Sequence, residues 1–141
     1  MSLLDLSALQ NAVLVFARTC HASQDKKVLS QLSTTLQDAV KAGVIQHFEF
    51  AYELSWKFMK RWLEKNYGST YIDGITRREL FRLAVESQLI DDVDEWMFYH
   101  QARNQTSHTY DETVAAEVYK ISLQFLKVAQ QLLLHLQEKN D

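Results

Sequence analysis

The sequence predicts an all-α domain, a bundle of about five or six helices without a strand. The chain has 141 residues and no proline, and Gly43, Gly68 and Gly74 are its only glycines, so residues that interrupt helices are few. Apolar residues recur at intervals of three and four, which places them on one face of a helix. With 47% hydrophobic residues, a chain of this length suits one packed domain, and we assign residues 1–141 to it.

The first two predicted helices are amphipathic. The first covers about Leu6 to His21, and the polar stretch Ala22–Lys27 ends it. The second covers about Val28 to Ala42. Gly43 then marks a weak point, where the second helix either ends or continues into the third.

The third predicted helix, about Val44 to Tyr67, carries most of the aromatic residues. Its apolar side chains cover roughly 200° of the helical wheel, which is wider than a surface helix needs. We therefore expect burial on two sides, one by the domain core and one by a second subunit, which predicts a homodimer. Trp56 and Trp62 are interpreted as packing anchors in preference to platforms for nucleobases.

The fourth predicted helix opens with a clear start signal. Gly68 is placed to end the third helix in a left-handed conformation, and Ser69–Ile75 is predicted to be a loop. Thr76-Arg77-Arg78-Glu79 then has the form of a capping box, in which Thr76 accepts from the amide of Glu79 while Glu79 reaches back. This helix is predicted to run to about Gln88.

Two further helices complete the bundle. The acidic run Asp91–Glu95 suits the first turn of a fifth helix that ends near Asn104, because carboxylates are favoured at helix N-termini. That dipole effect explains the run without a metal. Asp111 or Thr113 begins a sixth helix that extends to the C-terminus.

Composition excludes several classes of function. A formal charge of −3 and a pI near 5.9 argue against a broad basic surface for nucleic acid, so any RNA binding must be local. The lone Cys20 and the absence of a signal-type start predict a cytoplasmic protein, and no apolar run approaches the ~18 residues that span a bilayer. The histidines show no zinc spacing and no Gly-rich phosphate loop is present, so neither a metal nor a cofactor is predicted.

The candidate site is a cluster where the fifth predicted helix ends, formed by Arg103, Asn104, His108 and Tyr110. Arginine can hold phosphate oxygens, histidine can exchange a proton near neutral pH, and a tyrosine hydroxyl can accept a transferred group. Asn104 either bonds at the helix end or orients a phosphate or His108. On an unbroken helix Arg103 and His108 would lie about 140° apart, so the helix must end or distort between them.

A polar stripe on the third helix is a second, weaker candidate. It consists of Glu49, Glu53 and Lys57 at four-residue spacing. The default interpretation is a surface pair between Glu53 and Lys57. The less favoured interpretation places the stripe in a cleft for a partner or substrate.

Three arginines on the fourth helix form another group, Arg77, Arg78 and Arg82. They could make a small basic patch for RNA or for an acidic partner. A solvated helix face is the favoured interpretation.

Two stretches resemble a known family, the HEPN helical domains, and within it the branch of nucleotidyltransferase substrate-binding proteins. Residues from Gly43 to Lys57 resemble the third-helix signature of that branch. Residues from Arg103 through His108-Thr109-Tyr110 to Asp111 resemble its R-x4-H-x-Y motif. The resemblance covers most of the chain, and the two stretches occur in the expected order.

The resemblance implies an up-and-down helical dimer encoded beside a minimal nucleotidyltransferase, the two forming a toxin-antitoxin module. In such modules the HEPN chain is a metal-independent ribonuclease with Arg and His in a cleft between protomers, and the partner silences it by transferring AMP to its tyrosine. By motif position these residues are Arg103, His108 and Tyr110. The chain is not itself the transferase, because no Asp-x-Asp follows Gly68-Ser69. The alternative function is a non-catalytic subunit that binds and presents a substrate to the nucleotidyltransferase.

Overall fold

The fold is described here from a computed structural model, which describes residues 3–141. This part of the chain contains seven α-helices, one 3₁₀ turn and no strand, so the prediction of an all-α bundle is confirmed. The helices are α1 Ser7–Gln24, α2 Lys26–Leu29, α3 Thr34–Tyr67, α4 Ser69–Ile72, α5 Arg77–Glu86, α6 Val93–Gln105 and α7 Glu112–Glu138, with the 3₁₀ turn at Thr106–His108. None of these helices is long and apolar enough to cross a membrane.

The expected weak point at Gly43 is not a boundary, because α3 passes through it without a break. A Cβ at Gly43 would lie 3.7 Å from the Thr19 Cγ2 atom of α1, so this position sits in the contact between the two helices. A glycine inside a helix costs about 1 kcal/mol relative to alanine, which is small against the packing of a 34-residue helix.

The helix α3 combines the predicted second and third helices, and it begins at Thr34 and not at the predicted Val28. The single turn α2 comes first, and α3 then begins after Ser33, whose hydroxyl accepts from the amide of Leu36 at 3.2 Å. A serine in this position satisfies an amide that the first helical turn leaves without a partner. The local cap therefore sets the boundary.

The core is organised around α3, which packs on α1 and α7 and also contacts α5 and α6. Its centre is the Phe125 ring of α7, which has no solvent exposure. Five other rings lie with centroids 4.9 to 6.2 Å from it, those of Phe16, Phe48, Tyr52, Trp96 and Tyr99. Helices of the same protomer thus account for the wide apolar face of α3. Phe50 of α3 stays 47% exposed, and the homodimer remains a prediction.

The connection from α3 to α5 differs from the predicted loop. Gly68 ends α3 with a φ of 93° and a ψ of 141°, a glycine conformation that lies outside the left-handed helical region. Ser69–Ile72 then forms one helical turn, and Ile72 is buried. Thr76 accepts from the Glu79 amide at 3.1 Å as predicted, but the carboxylate of Glu79 pairs with Arg82 and does not reach back, so only half of the capping box forms.

Aspartates cap the two helices that meet at the candidate site. The Asp92 carboxylate accepts from the amides of Asp94 and Glu95 and caps α6. The helix therefore begins at Val93, two residues after the first residue of the acidic run. The Asp111 carboxylate accepts from the amides of Thr113 and Val114 and starts α7, as one of the two predicted starts required. The Asp111 cap therefore fixes the point at which the connection from α6 enters α7.

Candidate functional site

The candidate site begins where α6 changes its helical geometry. The α-helix ends at Gln105 and the 3₁₀ turn follows at once, so the predicted distortion between Arg103 and His108 is present. Ser107 and Thr109 donate from their hydroxyls to carbonyls three residues earlier, at 3.2 Å each. Such side-chain bonds compete with the backbone pattern of an α-helix, which explains why the helix ends here.

Arg103 is held by two carboxylates of α3. Its Nε donates to Glu53 Oε1 at 3.0 Å, and its Nη2 lies 3.7 Å from Glu49 Oε1. The Arg103 side chain is 29% exposed, and the two glutamates are 31% and 34% exposed. Glu49 and Glu53 therefore orient the guanidinium in a partly desolvated position, while several of its five N–H donors stay free for another acceptor.

The expected surface pair between Glu53 and Lys57 is not formed. Glu53 turns to Arg103, whose planar fork reaches it from α6 across a partly buried contact that a flexible, exposed lysine cannot match. Lys57 is exposed, and its Nζ lies 5.9 Å from the ring centroid of Trp56. Lys57 thus stands outside the hydrogen-bond network of the site.

Thr106 links the same groups. Its hydroxyl oxygen accepts from Arg103 Nη1 at 3.3 Å. It also lies 2.8 Å from Glu49 Oε2 and 2.7 Å from the carbonyl of Arg103. The single hydroxyl proton can be donated to only one of these two oxygens. Sequence analysis did not single out Thr106, although a threonine three residues after an arginine at a helix end is a local signal.

The second oxygen of Glu53 is held by an indole. Trp56 Nε1 donates to Glu53 Oε2 at 3.1 Å, and the guanidinium of Arg77 lies 3.5 Å from the centroid of the Trp56 ring. The Glu53 carboxylate therefore has a donor on each oxygen, which restricts its rotation. Trp56 is neither a simple core anchor nor a free stacking platform, because it combines a cation–π contact with a directed hydrogen bond.

A buried tyrosine and a histidine extend this network. The Tyr52 hydroxyl lies 2.8 Å from His100 Nδ1 and accepts from Arg77 Nη1 at 3.3 Å. Burial raises the pKa of Tyr52 to about 12. The pKa of His100 is lowered, first by burial and then by the charges of Arg77 and Arg103, with Glu53 acting in the opposite direction.

Sequence analysis missed the roles of Tyr52 and His100, and it favoured a solvated position for Arg77, which the structure places on the Trp56 ring. His100 lies three residues before Arg103, so the two share one face of α6, and this spacing is a signal that was available. The contact between Tyr52 and Arg77 joins different helices and has no signal in the sequence.

The motif residues His108 and Tyr110 form a separate group. Their rings lie 6.1 Å apart between centroids, at 75° to each other, and Tyr110 is 85% exposed. His108 and Asn104 are also exposed. Within residues 3–141, no hydrogen bond connects the side chains of these three residues to the Arg103 network.

An open groove lies beside this turn but does not include Arg103. It has a volume of about 750 Å³ and runs between α3 and α7, with Lys41, Ile45, Thr109 and Tyr119 among its lining residues. The groove touches the motif only through Thr109. The candidate chemistry therefore lies on the neighbouring surface and not in the groove.

Comparisons with known proteins give a consistent relationship. The family model described as nucleotidyltransferase substrate binding protein like matches residues 4–138. A Haemophilus influenzae protein named probable ribonuclease HepT is 36% identical over 138 residues, which cover 97% of this chain and 94% of the relative. The solved structure of HI0074 from Haemophilus influenzae has a TM-score of 0.91 at 35% identity, covers 94% of this chain and 99% of its own, and is described as the fold of a substrate binding domain of a nucleotidyltransferase. A structure from Thermus thermophilus, with a TM-score of 0.71 at 22% identity over 92% of this chain and 98% of its own, is similar in fold.

Proposed function

This chain belongs to the nucleotidyltransferase substrate binding protein like family, and we propose that it acts as the ribonuclease toxin of a two-component module whose other member is a minimal nucleotidyltransferase. The observation that carries the proposal is the pre-oriented Arg103, held by Glu53 at 3.0 Å beside a turn that exposes His108 and Tyr110. The relative named probable ribonuclease HepT gives further support. The substrate is RNA, and no metal takes part in the proposed reaction.

The proposed cleavage uses the ribose 2′-hydroxyl as nucleophile. The bond from O2′ to phosphorus forms and the bond from phosphorus to O5′ breaks, which leaves a 2′,3′-cyclic phosphate and a 5′-hydroxyl. The 2′-hydroxyl proton passes to an imidazole, and an imidazolium gives a proton to O5′. The free N–H groups of Arg103 stabilise the charge that gathers on the phosphate oxygens.

This chemistry favours a homodimer as the active form. The exposed turn of one protomer presents a single imidazole, that of His108, whereas the reaction needs one base and one acid. A twofold axis through the site would bring a second His108 and a second Arg103 to the same phosphate. In this dimer, Asn104 and the turn that follows it form one half of the site, and the second copy supplies the other half.

Tyr110 is the proposed site of control. Its oxygen attacks the α-phosphorus of a nucleoside triphosphate held by the transferase, the bond between the α- and β-phosphates breaks, pyrophosphate leaves and the phenol proton passes to a base. At 85% exposure the ring is open to another enzyme. The AMP group would add a negative phosphodiester next to His108, whose ring centroid is 6.1 Å away, and would block access for RNA.

The decisive experiment is expression of the chain with and without the transferase. We expect growth arrest and RNA cleavage from the chain alone, and loss of both with His108→Ala. The control is His21→Ala, which replaces an exposed histidine of α1 and should change neither effect. Co-expression should add the mass of AMP to the peptide that contains Tyr110, and Tyr110→Phe should escape control. Harmless expression with intact RNA, or an unmodified Tyr110 beside an active transferase, would contradict the proposal.

A non-catalytic substrate-binding subunit is the second candidate. It is favoured by the two carboxylates on Arg103, which offset the positive charge that a catalytic phosphate contact would use. Under this function the chain would leave RNA intact but would be required for turnover by the transferase. Assaying the transferase with and without this chain separates the two functions.

A further inference from the structure

Arg77 differs from the two other arginines of α5. Arg78 pairs with Asp94 at 3.0 Å, and Arg82 pairs with carboxylates on its own helix. Arg77 has no carboxylate within 4 Å among residues 3–141, although it is only partly exposed and lies in the first turn of α5, where the helix dipole disfavours a cation. Its positive charge is therefore available to an anion.

The guanidinium of Arg77 is also held in one place. It lies 3.5 Å from the centroid of the Trp56 ring, and its Nη1 donates to the Tyr52 hydroxyl at 3.3 Å. Stacking on one face and a hydrogen bond on one nitrogen leave the other N–H groups in the guanidinium plane without partners. A surface arginine that serves only solubility has no need of such fixing.

The hydrogen-bond chain defines the donor that His100 offers. Since Tyr52 accepts from Arg77, its own proton is free to be donated to His100 Nδ1, which lies 2.8 Å away. A neutral imidazole that accepts at Nδ1 carries its proton at Nε2. Within the described residues, His100 Nε2 has no hydrogen-bond partner, so Arg77 and His100, which both contact the Tyr52 hydroxyl, each present donors without acceptors.

This pair of donors is connected to the candidate site. Trp56, which supports Arg77, also donates to Glu53, and Glu53 accepts from Arg103. His100 and Arg103 are three residues apart on α6 and share one face of that helix. We propose that Arg77 and His100 form a phosphate subsite for single-stranded RNA, which holds a phosphodiester of the bound strand other than the one that Arg103 meets. The subsite rests on the proposed function in taking RNA as the ligand.

Binding of an RNA that cannot be cleaved tests the subsite apart from catalysis. The probe is a fluorescent oligoribonucleotide with 2′-O-methyl groups throughout, and its dissociation constant is measured by anisotropy at several salt concentrations. A charge-assisted hydrogen bond lost from Arg77→Gln should weaken binding about tenfold. Loss of one phosphate contact should reduce the slope of log affinity against log salt by about 0.7.

Arg78→Gln is the matched control. It removes the same charge from the residue next to Arg77, and the Arg78 guanidinium is already paired with the Asp94 carboxylate. It should change the dissociation constant less than about twofold. Arg77→Lys keeps the charge but not the planar fork, so it should give an intermediate loss and also serves if Arg77→Gln fails to fold. His100→Gln should weaken binding in the same direction.

Equal effects of Arg77→Gln and Arg78→Gln would overturn the subsite. So would normal RNA binding by Arg77→Gln together with lost binding of the nucleotidyltransferase, a result that would assign Arg77 to partner docking. Tight binding of the probe without cleavage of ordinary RNA would contradict the proposed ribonuclease and leave the subsite standing. If Arg77→Gln cleaves RNA normally and binds the probe with unchanged affinity, the subsite is contradicted and the proposed ribonuclease still stands.

Discussion

Replacing Glu53 with glutamine tests the network that holds Arg103 without assuming any function. The Glu53 carboxylate accepts from Arg103 Nε at 3.0 Å and from Trp56 Nε1 at 3.1 Å. Glutamine has the same shape but only one acceptor oxygen, so its amide nitrogen must face one of these two donors. Glu53→Gln therefore removes a charge and forces one donor against another.

The expected loss follows from these contacts. Hydrogen bonds to charged groups contribute about 1.5–3 kcal/mol each, and the exposure of both side chains near 30% reduces that value by solvent screening. We expect Glu53→Gln to lower the free energy of unfolding by about 1–2 kcal/mol. At this chain length such a loss corresponds to a fall in Tm of roughly 3–8 °C.

Urea denaturation followed by circular dichroism measures this loss. Glu64→Gln is the control, because Glu64 lies on the same helix and its carboxylate has no ion pair within 4 Å among the described residues. High salt should reduce the difference between Glu53→Gln and the wild type only in part, since the pair is partly buried. Equal stability of the two variants would refute the argument that Glu53 is a double acceptor.

Three further predictions concern the fold. Phe125→Ala should cost about 3–5 kcal/mol in the free energy of unfolding, because Phe125 contacts five rings, whereas Phe98→Ala at a 45% exposed position should cost no more than about 0.5 kcal/mol; a comparable loss in both would contradict the assigned core. Cys20 is 1% exposed and burial raises its pKa to about 11, so a thiol reagent such as DTNB should react only as the protein unfolds, and fast reaction of the native state would disprove this burial. The pKa of His100 is lowered in the fold, so the unfolded chain takes up its proton first, and stability should be full above the unfolded pKa of about 6.5 and fall as pH decreases from there towards the folded pKa. Stability curves of His100→Gln should fall less over this window, and identical curves would exclude the effect.

Local signals explain which parts of the fold were predictable. Thr76 and Asp111 act within a few residues of themselves, so each cap was readable from the sequence. The continuity of α3 through Gly43 could not be predicted from the sequence, because it depends on packing against α1. That packing outweighs the local cost of a glycine in a helix, about 1 kcal/mol. The helical turn at Ser69–Ile72 depends in the same way on burial of Ile72.

The candidate site shows the same division. His108 and Tyr110 stand close in sequence, so their proximity could be inferred, and so could the distortion of the helix between Arg103 and His108. The partners of Arg103 could not, because Glu53 is 50 residues away and the spacing rule for one helix favours Lys57 instead. Here the contact with Arg103 replaces the contact with Lys57, because the guanidinium is a planar donor and the Arg103–Glu53 pair is better shielded from water.

The distribution of charge is consistent with local recognition of RNA by an acidic chain. Arg103 pairs with Glu49 and Glu53, and Arg77 stacks on the Trp56 ring, so the site carries two cations and two carboxylates when His100 is neutral. Neither guanidinium is then left as an isolated buried charge, since one is paired and the other rests on an aromatic face. In the proposed function, an arriving phosphate would add a negative charge to a site where the donors are already oriented. It would replace the weaker contact at 3.7 Å between Arg103 and Glu49 and leave the 3.0 Å bond to Glu53 in place. Specific anion binding therefore needs no broad basic surface, and a net charge of −3 is compatible with it.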